Sequence, residues 1–177
     1  MNQREHILDA AERRMRGAGY NAVSFRDIAG DIGIKSASLH YHFPKKEDLG
    51  LALVQRYSDD FHEALTNRIT DNMTAKERIG VFVDLHRDAL VRQKLLCLCV
   101  VFGAEARGLP APVNAAVAAF FTRNINWMSK AYTDAGYRTA SSRAKSAVAM
   151  LEGGLVVADS VKDESVFEAA AEFVLRD

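Results

Sequence analysis

Residues 24–49 read SFRDIAGDIGIKSASLHYHFPKKEDL and decide the fold of this chain, because they predict two short helices joined by a tight turn. Ser24, with Asp27 three residues later, forms a capping-box pattern that predicts the start of the first helix. Apolar residues then recur at helical spacing as far as Ile32, and Gly33 suits the left-handed conformation that ends a helix. This pattern is typical of a helix-turn-helix.

The second helix is predicted over residues 37–43, with Ser36 as its cap and Pro44 preventing its continuation. Seven residues make only two turns, so this helix buries little by itself, and Leu39 and Phe43 are its inward anchors. Its polar and aromatic residues are expected to face outward: Lys35, Ser36, Ser38, His40, Tyr41 and His42. Such side chains suit phosphates and base edges, so we expect this helix to contact double-stranded DNA.

The surrounding motifs extend this pattern. They are an amphipathic first helix, a Gly-Tyr link, the SFRDIA helix start, the Gly-Ile turn and the LHYHFP run that closes on KKEDL. On these motifs, residues 7–53 resemble the N-terminal DNA-binding domain of TetR/AcrR-type bacterial transcriptional regulators. The resemblance implies that Lys46 opens the fourth helix and contacts a DNA phosphate. It also implies contacts with base edges or the DNA backbone for Arg26, Lys35, Ser36, Ala37, Ser38 and Tyr41.

Two residues depart from the family pattern. His40 stands where a tyrosine is more usual, and its protonation is a hypothetical means of tuning DNA affinity near neutral pH. Lys45 stands where a small hydroxyl residue is more usual, which removes a helix cap typically worth ~1 kcal/mol.

The composition is that of an ordinary globular protein, with 49% hydrophobic and 26% charged residues among 177. The formal net charge is zero, and residues 1–50 carry eight basic and seven acidic side chains, so DNA affinity depends on where the lysines lie. No apolar run approaches the ~20 residues that span a bilayer, and the charged N-terminus lacks a signal-peptide core. We expect a cytoplasmic protein without a membrane partner.

The whole chain is predicted to be helical, because the sequence shows neither strand alternation nor an internal repeat. We predict an all-α fold with an N-terminal three-helix helix-turn-helix domain over residues 1–48. Residues 49–177 are predicted to form a helical effector-binding and dimerisation domain, and the total of about nine helices follows from the resemblance. The long helix over residues 49–68 is the expected transmission element between the two domains.

The middle helices are expected to hold a pocket for a small-molecule effector, because a helical bundle lined by aromatic and a few polar side chains can enclose a ligand. Candidate lining residues are Tyr57, Phe61, His86, Cys97, Phe102, Phe120, Asn124 and Trp127. Asn124 and Trp127 are the favoured pair, since an amide and an indole on one helix face offer orientation and apolar contact. The alternative is a core position for each aromatic residue and a hydrogen-bonded or surface position for His86.

Cys97 and Cys99 are two residues apart and, on a helix, point about 200° apart, which disfavours joint metal binding. We expect neither a metal nor a cofactor. Their apolar surroundings favour buried core thiols. The alternative is an electrophile- or redox-sensing repressor acting through one of them, because some family members that respond to electrophiles have a cysteine in a comparable segment followed by Ala-Glu and Leu-Pro pairs.

Small and apolar residues recur along the last 40 residues and predict a dimer interface. The candidate residues are Ala147, Leu151, Gly154, Ala158, Phe167, Ala170 and Val174. The resemblance implies that the last two helices pair with those of a second copy in a four-helix bundle. Such a twofold homodimer would match a pseudo-palindromic operator. The alternative is that both helices only cover their own core.

Together these features predict a ligand-responsive dimeric repressor that releases its DNA operator when a small molecule binds the C-terminal domain. Activation instead of repression is equally compatible with the sequence. An enzyme is not expected, because no nucleophile, base and orienting residue occur at a recognisable spacing. A non-specific architectural DNA-binding protein is the alternative of another class, and it would bind every duplex with similar affinity.

Overall fold

The computed structural model describes residues 2–176, and these residues form nine α-helices and no β-strand. In chain order the helices are α1 (Gln3–Ala18), α2 (Phe25–Asp31), α3 (Ser36–His42), α4 (Lys46–Arg68), α5 (Ala75–Val91), α6 (Leu98–Ala104), α7 (Ala111–Asp134), α8 (Ala140–Val161) and α9 (Ser165–Leu175). A 3-10 turn, Ala106–Gly108, follows α6. The predicted all-α fold with about nine helices is confirmed. None of the helices in this part of the chain is long and apolar enough to cross a membrane.

Helix α2 begins as the sequence predicts. The Asp27 backbone N–H donates to the Ser24 hydroxyl at 3.3 Å, and the Ser24 backbone N–H donates to the Asp27 carboxylate at 2.8 Å. This reciprocal capping box satisfies two N–H groups that have no partner inside the helix. The helix ends at Asp31, and Gly33 has a φ of +68°, the left-handed conformation that turns the chain toward α3.

The start of α3 differs from the prediction. Ser36 is the first residue of the helix and not its cap; the capping position belongs to Lys35, whose side chain makes no capping hydrogen bond. Because so short a helix has no side-chain cap, its orientation depends on packing, and Leu39 is the residue that it buries.

The start of α4 is capped even though Lys45 replaces the usual hydroxyl residue. The Lys45 backbone N–H donates to the Asp48 carboxylate at 2.8 Å, which is one half of a capping box. Asp48 also places a negative charge in the first turn, where the helix dipole favours it. The Asp48 carboxylate therefore makes up in part for the capping hydroxyl that is missing at residue 45.

The helices pack into two compact units. The first unit comprises the residues up to Ser58 together with Leu98–Ala118, and the second comprises Asp59–Cys97 and the residues from Ala119 onward. Helices α4 and α7 each supply residues to both units. These units describe packing, so the division into functional domains at residue 48 stays a prediction.

The core of the first unit is formed by one face of α1 and by inward residues of α2, α3 and α4. Its deeply buried side chains include Ile7, Leu8, Ala11, Met15, Ile28, Leu39, Leu49 and Leu53. Beside this core the Arg56 guanidinium of α4 donates to three carboxylates of α1: Glu5 at 3.3 Å, Asp9 at 2.7 Å and Glu12 at 2.9 Å. Because Arg56 is largely shielded from water, this network holds α1 against α4 more firmly than an exposed ion pair would.

In the second unit α8 packs against α9, and both helices contact α5. The close approach of α8 and α9 occurs at Gly154, where an added Cβ would lie 3.1 Å from the Cβ of Ala170. The Tyr132 hydroxyl of α7 donates to the Val174 carbonyl of α9 at 3.1 Å. These contacts bury the small-residue face of α8 inside the chain.

Candidate functional site

The outward face of α3 carries most of the residues predicted to contact DNA. Six residues of the predicted set are exposed: Arg26, Lys35, Ala37, Ser38, His40 and Tyr41. The other three, Ser36, His42 and Lys46, are partly exposed. Tyr41 is 84% exposed, which is unusual for a large aromatic side chain. The two-turn helix thus presents polar and aromatic groups to solvent in a form that suits a DNA groove. Their contact with DNA stays a prediction.

A shallow groove runs beside Tyr41. It is lined by Gln3, Ile34, Ala37, Ser38, Tyr41 and His42. Gln3 and Ile34 are absent from the predicted contact set. Gln3 is the first residue of α1, so no local pattern around α3 could place it there, whereas Ile34 reads in the sequence as an apolar residue of the turn.

His40 packs against α2 as well as facing outward. Its ring lies 4.8 Å from the ring of Phe25, and its Nδ1 lies 3.4 Å from the Pro44 carbonyl oxygen. The ring therefore ties the end of α3 to the start of α2. A substitution of His40 is expected to change the orientation of α3 in addition to any contact that the imidazole makes with DNA.

Lys46 is held at the loop between α1 and α2. Its Nζ lies 4.4 Å from the centre of the Tyr20 ring and donates to the Asn21 carbonyl at 3.4 Å. Partial burial lowers the pKa of Lys46, while the charges of Glu105 and Asp27 act in the opposite direction. An aromatic face and a carbonyl thus fix the position of this cation at the first turn of α4.

Glu105, which follows α6, fixes the same loop. Its carboxylate accepts one hydrogen bond from the Asn21 backbone N–H at 3.0 Å and another from the Asn21 side-chain amide at 3.1 Å. Gly19 has a φ of +89°, and a Cβ at this position would collide with the Glu105 carboxylate. The loop can approach Glu105 this closely only because residue 19 is glycine.

The acidic side chains of α2 are paired within the first unit. Arg14 of α1 lies 3.4 Å from the Asp31 carboxylate and 3.9 Å from that of Asp27. Hydrogen bonds from Ser24 lower the pKa of Asp27. Because Arg14 compensates part of this negative charge, the two aspartates oppose an approaching phosphate less than unpaired ones would.

Comparison with known proteins identifies the family. The sequence model described as "Bacterial regulatory proteins, tetR family" matches residues 7–53. The crystal structure of a TetR transcriptional regulator from Legionella pneumophila is 35% identical and has a TM-score of 0.93, and the match covers 98% of this chain and 96% of that one. The chain belongs to the TetR family. The structure of a TetR-family regulator from Agrobacterium tumefaciens, with a TM-score of 0.92 at 24% identity and 97% and 95% coverage, shares the fold.

Curated relatives match this TetR-family chain over a shorter stretch. A fatty acid metabolism regulator protein from Bacillus subtilis (strain 168) is 28% identical over 80 residues, which are 45% of this chain and 41% of the relative. The chain spans about half the length of the curated relatives it matches.

The second unit buries four polar side chains, which we call the buried polar cluster: His62, His86, Asn124 and Glu152. They form two pairs, His62 with Asn124 and His86 with Glu152, and the Phe61 ring contacts both histidines. Each of the four is 6% exposed or less. The Nε2 atom of His86 lies 3.6 Å from Oε1 of Glu152, and the Cys97 thiol donates to the same oxygen at 3.3 Å. His86 Nδ1 lies 2.9 Å from the Phe82 carbonyl oxygen, which can only accept, so Nδ1 carries a hydrogen.

Two atoms of the buried polar cluster have no hydrogen-bond partner among residues 2–176: Nε2 of His86 and Oε2 of Glu152. The Asn124 amide and Nε2 of His62 interact with each other, but not through a well-formed hydrogen bond. Buried polar atoms are normally paired, because each unpaired one costs about 1–3 kcal/mol. The unpaired atoms of His86 and Glu152 make the cluster a candidate ligand site.

Four aromatic side chains lie on the histidine side of this cluster, and we call them the aromatic wall: Phe61, Phe82, Phe120 and Trp127. The ring of Phe61 lies 5.4 Å from that of His86 and 5.6 Å from those of Phe82 and Phe120. Phe82 stacks on Trp127 with the ring centres 5.5 Å apart. Phe82 and Phe120 are fully buried, whereas Phe61 and Trp127 keep partial exposure.

Burial lowers the pKa of His62 to about 4, and the positive charge of Arg123 acts in the same direction. Asn124 and the charge of Asp59 oppose the shift. The His62 ring is therefore uncharged at neutral pH. Sequence reasoning missed His62 and Glu152, because a lone histidine or glutamate on a helix reads as a surface residue unless its burial is known.

The structure brings together only part of the predicted effector set. Phe61, His86, Cys97, Phe120, Asn124 and Trp127 lie in the second unit, in or beside the buried polar cluster. Tyr57 and Phe102 lie in the first unit, where the Arg16 guanidinium is 5.5 Å from the Tyr57 ring and Phe102 packs edge-on against Tyr20. The predicted set is therefore divided between the two units.

The assumption that both cysteines lie on one helix is wrong. Cys97 precedes α6, and Cys99 is inside it. The two thiols belong to different units, and both are buried. Cys97 donates a hydrogen bond to Glu152, so it is tied to the buried polar cluster.

Six of the seven residues predicted to form the dimer contact are buried within the chain: Ala147, Leu151, Gly154, Ala158, Phe167 and Val174. The seventh, Ala170, is partly exposed. These residues contribute to the packing of α8 and α9 within the chain, and their contact with a second copy stays a prediction. The exposed large apolar side chains of α8 and α9 are Val156, Val157, Val161, Phe173 and Leu175. A small-residue stripe signals close helix packing, but it does not tell packing within a chain from packing between chains.

Proposed function

We propose that this chain is a ligand-responsive transcriptional repressor that binds a pseudo-palindromic DNA operator as a homodimer and releases it when a small molecule binds the second unit. The observation that carries the proposal is the outward face of α3, where Tyr41 stands exposed on a helix anchored by Leu39. Membership of the TetR family supports this assignment. A repressor of this kind acts on chromosomal DNA, and hence in the cytoplasm.

The DNA-contacting residues divide by task in this proposal. The start of α3 approaches base edges in the major groove, together with Arg26 of α2. Tyr41 and Lys46 contact the phosphate backbone, and the positive end of the α4 dipole assists Lys46. The groove beside Tyr41 gives Gln3 a place at the same surface.

The homodimer is proposed to form through the exposed apolar side chains of α8 and α9. Val157 and Phe173 are 49% and 58% exposed, and leaving such side chains in water is unfavourable. Their burial against a second copy would place two α3 helices on half-sites one helical turn of DNA apart, ~34 Å.

The effector is proposed to bind at the buried polar cluster. The cluster offers unpaired hydrogen-bonding atoms beside an aromatic wall, which is the combination that encloses and orients a small ligand. The ligand weakens DNA binding only to the extent that it prefers the conformation that does not fit the operator.

Selection of bound fragments from genomic DNA by the purified full-length protein tests this function. We expect enrichment of one or a few sites with twofold symmetry, bound at least 10³-fold more tightly than random duplex. Tyr41→Ala and Lys46→Ala should each weaken binding roughly tenfold or more. Arg138→Ala changes an exposed residue of the second unit, far from the helix-turn-helix in the sequence, and should not weaken binding. Equal affinity for every duplex would instead identify an architectural DNA-binding protein.

A further inference from the structure

We infer that the ligand of the buried polar cluster is a small organic cation with an N–H donor, a protonated amine, for which the Glu152 carboxylate is the counter-ion. This inference rests on the proposed function, because it specifies the chemistry of the effector. It follows from three properties of the cluster: its surplus of hydrogen-bond acceptors, its charge and its aromatic surroundings.

The cluster presents more acceptors than donors. Among the described residues, Glu152 Oε2 is an acceptor without a donor, whereas Asn124 offers both an acceptor, Oδ1, and a donor, Nδ2, beside His62. Nδ1 of His86 donates to the Phe82 carbonyl, and Nε2 lies 3.6 Å from Oε1 of Glu152, too far for a hydrogen bond. The other oxygen of Glu152, Oε2, has no donor in the described part of the chain and needs an external one. A ligand with several N–H groups satisfies these atoms, and a ligand with acceptors alone does not.

The charge of the cluster selects against anions. Glu152 is 4% exposed, so its carboxylate would repel a second negative charge in surroundings of low dielectric constant. His62, with a pKa near 4, contributes no positive charge at neutral pH. The guanidinium of Arg123 lies 3.3 Å from the Asp59 carboxylate and is thereby compensated. Arg78 lies two turns before His86 on α5, about 12 Å along the helix axis.

The aromatic wall favours a cation of modest size. Ring faces attract ammonium groups, and the attraction strengthens when water is excluded. His86 contacts the rings of both Phe61 and Phe82, with centres 5.4 Å and 4.8 Å apart, so an amine held at Glu152 also lies near these rings. A charge-assisted N–H···O bond to Glu152 adds direction, which a quaternary ammonium without N–H groups cannot provide.

Trp127 gives a direct readout, because it is the only tryptophan of the chain and belongs to the aromatic wall. We suggest titrating the full-length protein with n-butylamine, benzylamine and 2-phenylethylamine, and with the alcohol, carboxylic acid and trimethylammonium analogue of each. The Trp127 fluorescence and the melting temperature are recorded together. We expect at least one amine to bind tenfold more tightly than its acid and its trimethylammonium analogue, and to weaken operator binding.

Glu152→Gln tests the counter-ion while preserving the shape of the side chain and an acceptor for Cys97. We expect it to weaken amine binding at least tenfold and to change alcohol binding less than threefold. Glu63→Gln, an exposed carboxylate of α4 in the same unit, is the matched control. Should Glu152→Gln fail to fold, Glu152→Met, an uncharged side chain of similar length, tests the counter-ion in its place.

The outcomes separate this inference from the proposed function. If the acids bind best, if no amine binds, or if removal of the Glu152 charge leaves amine binding unchanged, the amine inference is overturned while operator binding by the ligand-free protein still supports a repressor. If the ligand-free protein selects no DNA, the proposed function fails whichever probe binds. Amine binding lost in Glu152→Gln and retained in Glu63→Gln supports the inference.

Discussion

Glu105 and Asn21 are 84 residues apart in the sequence and are joined by two hydrogen bonds. The Asn21 carbonyl in turn accepts the ammonium of Lys46 at 3.4 Å. A carboxylate after α6, the loop after α1 and a lysine proposed to bind phosphate therefore form one connected network within the first unit. The position of Lys46 depends on a residue far from α2 and α3 in the sequence.

Replacing Glu105 by alanine should destabilise the first unit. Two hydrogen bonds to a charged acceptor are lost, and we expect the free energy of unfolding in urea to fall by about 1–3 kcal/mol. Glu63→Ala removes an exposed carboxylate and should change it by less than about 0.5 kcal/mol. Equal losses in the two variants would show that the contact with Asn21 contributes nothing.

Replacing Lys46 by alanine should alter the salt dependence of DNA binding. A lysine that neutralises one phosphate releases about one counter-ion, so the slope of log K against log salt should become shallower by about 1. The affinity for operator and for random duplex should fall by similar factors, because a phosphate contact carries no sequence information. Fluorescence anisotropy at four salt concentrations measures both quantities. A slope identical to that of the parent protein would place Lys46 away from the phosphates.

The stability of the protein should decrease in mild acid because of His62. The pKa of His62 is about 4 in the folded chain and near 6.5 when the side chain is free, so between these values the unfolded chain binds more protons. From pH 8 to pH 5 this difference removes about 2 kcal/mol of unfolding free energy.

The variant His62→Gln isolates this effect, since glutamine does not titrate. Urea unfolding at pH 8 and pH 5 should show a loss about 2 kcal/mol larger for the parent protein than for the variant. A loss of unfolding free energy of the same size in both proteins would mean that the pKa of His62 is not lowered in the folded chain.

The contact between α8 and α9 can be tested with two neighbouring glycines. A valine at Gly154 would press on Ala170, whose Cβ would be 3.1 Å from the new Cβ, and we expect a loss of about 1–3 kcal/mol. At Gly153 an added Cβ meets nothing within 4 Å, so Gly153→Val should be neutral or stabilising by a few tenths of a kcal/mol. Thermal unfolding of the two variants compares them directly, and similar melting temperatures would contradict the tight packing.

Dimerisation should depend on the exposed apolar residues of α8 and α9. The double variant Val157→Glu, Phe173→Glu places charges on surfaces that are 49% and 58% exposed in one chain, so folding should survive. Burial of these charges against a second copy would be costly, and we expect a shift from dimer to monomer in analytical ultracentrifugation. Arg138→Glu is the charge control. A double variant that remains dimeric would move the interface elsewhere.

The helix-turn-helix could be predicted from sequence because its signals are local. Ser24 and Asp27 are three residues apart and form the predicted capping box, and Gly33 adopts the predicted left-handed conformation. The error at Ser36 has a local cause as well: serine is a good cap, but the first turn of α3 begins one residue earlier than the cap preference indicates.

The ligand site could be predicted only in part. Aromatic residues at helical spacing identify Phe61, Phe120 and Trp127 as inward residues, whereas nothing in the sequence distinguishes buried His62 or Glu152 from a solvated side chain. The same limit applies to Gly154 and Ala158, since a small-residue stripe packs equally well against its own chain or a second one.

The seven residues of α3 bury only Leu39. Apart from His40, whose ring packs on Phe25, the rest of the helix contributes little to folding, so its exposed positions are free to diverge at small cost in stability. Relatives with the same scaffold could thus acquire different target sequences through a handful of substitutions. A combinatorial library over residues 35–38, 41 and 42 offers a practical route to retargeting such a protein for synthetic gene circuits.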